Sequence, residues 1–539
     1  MRPTTNHDRP GAARPAARAV RRGAIALVVA GASVLVGCSL GDDGGVAEVT
    51  LPELDTTTTT APEPGAGGGS GSASGAQGDD ALPEPSWTVQ FGGSGDDEAR
   101  ALTALDTRIV VVGATTAELP SLEEGRPARA GLGGTDVLVA HVDTEGTLVA
   151  LDGAGTAADD LANGVAANGA GMMACGSTAG QLGAGLGGAV DLWCALVDDE
   201  QTLAAPVQLG GTDSESVTDL AGDPEQDRLY AAGRVGGLLP GAQDPTGRGL
   251  GAGDAVALQL TPDGTPVWAR QFGTPNEDGA TGAAITPDGD GIVVGYTDGD
   301  LGRTSSGGRD AWISRFDPSG RQRWITQIGS PGTDVIESVA IAGEPARGTE
   351  AFIAAGTTDG DIAGVGRTGG SGSGGEGDAD GDAPGTAPGG PGEPPDAPAV
   401  TDGFAASFGT DGSLTWITPL ASDGSDSTAA IVVDGAVAYV AGTTSGDLGE
   451  LVPAAGPGGG SDGFLAALDI ASGEVLWVAR FGSADDEQIT SMTTTEDGLV
   501  VLAGTTTGQM AETPPAGGVD AFLIAFPLAA AGGGAASIV

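Results

Sequence analysis

Two columns of carboxylates are the residues of this chain whose type and spacing could do chemistry. One column is Asp136, Asp191, Asp254, Asp310, Asp402, Asp462 and Asp520, each opening a short apolar run. The other is Asp97, Asp160, Glu215, Asp278, Asp334, Asp426 and Asp486, each in an acidic loop that precedes a Thr- and Ala-rich run. Oxygen ligands gathered in this way suit Ca²⁺ or a cationic partner, and paired carboxylates can run glycoside hydrolysis. Asp in a turn also accepts hydrogen bonds from loop amides. Recurrence in every unit favours that structural role, because a ligand needs one site whereas a repeating fold needs one per repeat.

Other reactive groups are scarce. Beyond the N-terminal segment the only histidine is His141, on an apolar run where other units carry Leu, Gln, Arg, Ser or Ala, and all 22 basic residues are Arg. A nucleophile with a neighbouring base therefore has few available parts, and the reading is non-enzymatic. Cys175 and Cys194 fall in successive apolar runs of one unit. If those runs pair, a disulfide is expected in an export compartment, the alternative being two buried thiols, and the register decides between them. The sequence GDADGD at 377–382 begins like a calcium loop, but Ala383 stands where the bend needs Gly and Gly389 where a bidentate Glu belongs. GAGLGG at 183–188 and GVGRTG at 364–369 match a dinucleotide fingerprint without a following helix. No cofactor is expected, with Ca²⁺ as the one ion the acidic columns would suit.

These residues sit in a repeated unit typified by SDGFLAALDIASGEVLWVARFGSADDEQITSMTTTEDGLVVLAGTTTG, Ser461 to Gly508. Its four runs of 5 to 8 residues, rich in Val, Leu, Thr and aromatics and bounded by Gly, Asp or Ser, read as strands. The Asp that opens the third-type run recurs at spacings of 55 to 63 residues, with one of 92 after Asp310. A second column, Gly113, Gly176, Gly233, Gly295, Gly356, Gly442 and Gly504, closes another run in the same seven units. Four strands per unit at this period predict an all-β, seven-bladed propeller of four-stranded antiparallel blades. A lone WTVQFG run, Trp87 to Gly92, precedes the array, and the last unit lacks its equivalent. Pairing of the two chain ends would close the ring and remove an exposed edge.

GTTSGDLG (442–449), SDGFLAALD, LWVARFGSADDE, GGRDAWISRFDPSGRQRWITQIG (307–329) and GAGDAVALQLTPDGTPVWARQFG (251–273) resemble bacterial β-propeller repeat proteins of the SBBP type. The resemblance spans about Trp87 to Phe526 and is weaker in the second and third units, which are entered without a Trp. It implies a seven-bladed propeller, usually on exported proteins, and supplies no catalytic residues. ALDIASGEVLW (467–477) is also similar to the repeat of pyrroloquinoline-quinone-type propellers; only that unit matches well, and a hairpin with a Trp packed between blades accounts for it.

The chain is expected to fall into four parts. Residues 1–37 read as a lipoprotein signal, with six Arg ahead of the apolar run GAIALVVAGASVLV and LVGC ending at Cys38, the expected lipid-bearing residue. Residues 38–85, rich in Gly, Thr, Pro and Ser, read as a disordered tether. The propeller occupies 86–527, interrupted by a Gly/Pro-rich insertion at 364–400, and 528–539 form a flexible tail. A formal charge of −51, from 73 acidic and 22 basic residues, opposes nucleic acid and anionic lipid as partners. Membrane contact is then expected only through the anchor, at the outer face of the cytoplasmic membrane, for a monomer that binds an unknown protein or cell-wall component. The functional expectation is a binding or scaffold module, with a calcium-dependent adhesion or cell-wall-binding protein and a carboxylate glycosidase as alternatives.

Overall fold

The computed structural model describes residues 83–528, apart from stretches within loops, the longest of which is 363–399. The signal segment 1–37, Cys38, most of the tether, GDADGD and most of the insertion and tail therefore lie outside the described residues.

From Trp87 to Pro527 the chain forms seven four-stranded antiparallel sheets, the propeller expected from the repeat. The first blade illustrates the order: an inner strand Asp97–Leu105, a second strand Arg108–Thr115, a third Asp136–Asp143 and an outer strand Leu148–Ala154. The six later inner strands are Asp160–Asn168, Glu215–Asp223, Asp278–Ile285, Asp334–Ala342, Asp426–Asp434 and Glu487–Thr494.

Burial follows position in the blade. Third strands such as Asp310–Phe316 are buried along their whole length, because both faces meet a neighbouring sheet, and this requires the unbroken apolar runs seen in sequence. Outer strands such as Val475–Phe481 are mostly half-buried, with Leu476 exposed and Val478 and Ala479 buried. Among the described residues the apolar core divides into seven clusters, each spanning one interface between adjacent blades. Between the third and fourth blades, for example, Phe272 meets Trp312 edge-on with ring centroids 5.3 Å apart.

The seventh sheet is built from both ends of the array. Trp87–Phe91 pairs antiparallel with Asp520–Pro527, Trp87 opposite Ala525 and Phe91 opposite Ala521, so the ring closes by backbone hydrogen bonds.

Outer-strand tryptophans tie four of the blades to the next. The indoles of Trp87, Trp324 and Trp416 donate to the carbonyls of Thr144, Thr410 and Ile470, each 2.9 Å away in the following blade's third-to-outer turn. The turn above Trp324 contains Gly412 at φ 81°, where a Cβ would stand 2.7 Å from the ring. Two variations follow from the sequence. In the second blade, whose outer strand has no Trp, the side-chain amide of Asn168 donates to Pro262 O in the equivalent turn. Beside it Cys175 and Cys194 face each other on adjacent strands and are disulfide-bonded, under the turn glycine Gly264. Trp477 has a buried indole N–H with no acceptor among the described residues. The blade after it has no such turn, because its outer strand comes from the start of the array.

Candidate functional site: the central channel

Each inner strand carries a β-bulge, and the bulged residue is three positions beyond the carboxylate that opens the strand. The bulged residues are Arg100, Asn163, Thr218, Thr281, Glu337, Ala429 and Thr490. A bulge inserts one residue against a partner that has none, which re-aims its side chain; here all seven line the channel on the propeller axis. They form a constriction shared by two cavities. One, of about 1000 Å³, opens among the loops that carry Ser461, Asp486 and Thr507. The other, of about 510 Å³, opens among the turns that carry Asp106, Pro224 and Glu496.

The glycine column exists because of these bulges. Each bulge drives the inner-strand carbonyl two residues before it against the second strand. A Cβ on Gly113, Gly176 or Gly442 would lie 1.8 to 1.9 Å from the carbonyl oxygen of Glu98, Leu161 or Ser427.

Most of the ring is held by hydrogen bonds that run from blade to blade. Thr490 donates to Ala99 O (2.7 Å), Arg100 to Asn163 Oδ1 (2.9 Å), Asn163 to Val217 O (2.8 Å), Thr218 to Ala280 O (2.8 Å) and Thr281 to Ile336 O. Arg100 also pairs with Glu98 at 2.7 Å. The belt stops at Glu337 and Ala429. The Glu337 carboxylate, half-buried in the channel wall, receives no hydrogen bond from any described residue. Burial raises it to about 7, with Arg309, itself paired with Asp298, drawing it back only in part.

The acidic columns lie elsewhere. Of their members only Asp486 lines the channel, at its mouth. Asp97, Asp160, Glu215, Asp278, Asp334 and Asp426 are buried at the blade interfaces and accept the amide of the residue four positions earlier, as Thr274 N does to Asp278 Oδ2 at 2.6 Å. In the seventh unit the equivalent group is Glu487, not Asp486: Glu487 is buried, takes the Ser483 amide (2.7 Å) and the Thr506 hydroxyl (2.7 Å), and pairs in register with Thr506. Asp486 is exposed and accepts the Ser461 amide at 2.9 Å. The chain slips one residue from the sequence alignment because three acids occur in a row and only the ladder chooses among them.

The other column, Asp136, Asp191, Asp254, Asp310, Asp402, Asp462 and Asp520, is also buried. In four blades the outer-strand glutamine holds this Asp of the same blade: Gln90, Gln208, Gln271 and Gln327 donate to Asp520, Asp191, Asp254 and Asp310 at 2.7 to 2.9 Å. Arg480 does so for Asp462. The two columns then meet in pairs at the end of the outer strand, as Asp254 and Asp278 do at Gly273, and Asp462 and Glu487 at Gly482. His141 is buried in the third strand of the first blade, opposite Val110 and Ala150, and does not line the channel.

Burial raises Asp97, Glu215, Asp278, Asp334 and Asp426 above their ordinary values of 3.8 for Asp and 4.5 for Glu. Hydrogen bonds oppose the shift, and the partner carboxylates Asp520, Asp191, Asp254, Asp310 and Asp402 add to it. A group whose folded pKa exceeds its unfolded one stabilises the fold below the unfolded value, and that contribution is lost as pH rises through the folded value. Urea midpoints are therefore expected to fall as pH rises from the ordinary carboxylate range toward neutrality. Asp278→Asn should show a shallower decline than the parent; an equal slope would mean that overall charge repulsion, not the paired acids, sets the trend.

No family model matches the chain, and no curated protein sequence does. Solved structures similar to it include a protein from Lactobacillus plantarum (13% identity, 75% of this chain and 92% of that one, TM-score 0.39). BamB from Moraxella catarrhalis is similar at 14% identity over 82% of this chain and 99% of that one, with a TM-score of 0.35. The propeller domain of the Trilobed protease from Pyrococcus furiosus is similar at 8% identity over 80% and 95%, with a TM-score of 0.37.

Proposed function

We propose that this chain is a lipid-anchored, extracytoplasmic propeller of the SBBP-repeat type that works as a non-enzymatic binding module, and that its ligand enters the central channel. The observation that carries the reading is the polar ring at which two open cavities meet. Binding sites are concave, with a few convergent polar groups, and here seven bulges aim seven side chains at one place. The ring hydroxyls of Thr218, Thr281 and Thr490 already donate their protons to backbone carbonyls, which suits them to fixed recognition better than to nucleophilic attack. The anchor rests on the apolar run before Cys38 and the composition of the tether.

The test has two arms. Growth with a labelled fatty acid is expected to label the parent and not Cys38→Ser. Cys38→Ser used as bait in envelope extract is expected to retain a specific component, and adding Thr281→Trp, which plugs the ring, should release it. Retention by both baits would place binding outside the channel, and release of sugars from cell-wall polysaccharide by the same protein would favour a glycosidase.

A further inference from the structure

The ring is chemically lopsided, and its asymmetry specifies what it can hold. A threonine hydroxyl has one proton and two lone pairs. Thr218 and Thr281 spend that proton on Ala280 O and Ile336 O of the next blade, so they present only acceptor lone pairs to the channel. The next ring position is Glu337, acceptor-only when ionised, which receives nothing from the protein. The ring positions of three consecutive blades thus offer acceptors without a donor. Across the ring the one cation, Arg100, is already engaged by Glu98 and by Asn163 Oδ1. Just beyond the constriction Asp219 lines the smaller cavity, with the Ala283 amide donating to it at 2.8 Å, and Asp486 stands at the mouth of the larger one.

We infer that the channel constriction is a binding site for a small organic amine, its ammonium N–H groups donating to the Glu337 carboxylate and to the Thr281 and Thr218 hydroxyl oxygens. An ammonium supplies several donors and the charge that Glu337 lacks a partner for, whereas an anion would meet acceptors on these three blades. The cavities on either side leave room for an extended chain, so an aliphatic diamine fits better than ammonium alone. This assignment rests on the channel reading above and names its ligand class.

Burial holds Glu337 near neutrality, so its charge, and with it amine binding, should appear as pH rises through about 7. The charged groups around it are Arg309, held by Asp298, then Arg100, held by Glu98, and Asp219.

The experiment is calorimetric titration of the purified full chain with 1,4-diaminobutane at about pH 6 and about pH 8, a range in which the ionised fraction of such a group changes about 10-fold. Affinity is expected to rise about 10-fold between the two. Glu337→Gln should be weaker than the parent by about 10-fold or more at the higher pH, the scale of one charge-assisted hydrogen bond, and should lose the pH dependence. Tetramethylammonium, which has no N–H, should bind far more weakly, and Glu145→Gln, in an exposed turn away from both cavities, should bind the diamine as the parent does. Glu337→Gln removes a charge that burial disfavours, so its melting temperature should match or exceed the parent's; if it fails to fold, Thr281→Val is the substitute and should weaken binding at both pH values. Equal binding by parent and variant, no pH dependence, or displacement of the diamine by equimolar Ca²⁺ would overturn the assignment. If the bait still retains its envelope component while the diamine fails these tests, the ligand chemistry is wrong and the channel reading stands.

Discussion

Gly442→Ala is expected to be among the most destabilising single substitutions in this protein. A Cβ there would stand 1.9 Å from Ser427 O and 2.8 Å from the buried Phe464 ring. Ser427 O cannot retreat without dissolving the bulge between Thr428 and Ala430, since Thr428 pairs directly with Gly442. Overpacking of a close-packed interior by a single group costs about 1–3 kcal/mol when side chains can shift, and here the obstacle is backbone, so a loss of about 3 kcal/mol or more is expected. The control is Gly153→Ala on an outer strand, where the nearest atom is Val137 O at an ordinary 3.4 Å. Urea midpoints for the two variants measure the difference. Similar midpoints would mean that the glycine column is an accident of composition and that the bulges do not depend on it.

Removal of the closing strand should have the other large effect. A chain beginning at Gly93 loses all five register pairs between Trp87–Phe91 and Asp520–Pro527. It also strips Phe91 and Val89 from the cluster that joins the seventh blade to the first, and the Trp87 indole from Thr144 O. Burial of one such apolar side chain stabilises by about 1.5–3 kcal/mol, so several kcal/mol are at stake, in a fold whose total is of order 5–15 kcal/mol. The strand left behind presents unpaired amides and carbonyls along an apolar edge, which invites association between copies. The shortened chain is expected to melt well below the parent and to elute as aggregates from a sizing column. A monomer with the parent's melting temperature would show that ring closure contributes little.

Both predictions depend on features that were unequally legible in the sequence. The glycine and aspartate columns count seven units because each marks a place where the backbone of one blade has no freedom: Gly442 beside a displaced carbonyl, Asp254 held by Gln271 and Asp462 by Arg480. Unbroken apolar runs such as DGFLAALD identify third strands because both faces of such a strand are covered. Local composition carries that information, since it reports burial and steric room.

The channel ring was not legible in the same way. Arg100, Asn163, Thr218, Thr281, Glu337, Ala429 and Thr490 have no residue type common to all, only three being Thr, and the signal that would have aligned them was their constant offset of three from the opening carboxylate. In the seventh unit that offset leads to Thr490 only if counted from Glu487, and Asp485, Asp486 and Glu487 are indistinguishable until the Thr506 register selects one.

What the sequence determined by itself is therefore the repeat: four strands per unit, seven units, a spare first strand to close them, and an acidic, lysine-free composition. Tertiary structure alone decided which carboxylates are buried in pairs between blades and which side chains reach the axis. Burial pattern is a property of neighbouring residues along the chain, whereas a bulge is set by the register of one strand against another, and the axis exists only once seven blades have closed around it.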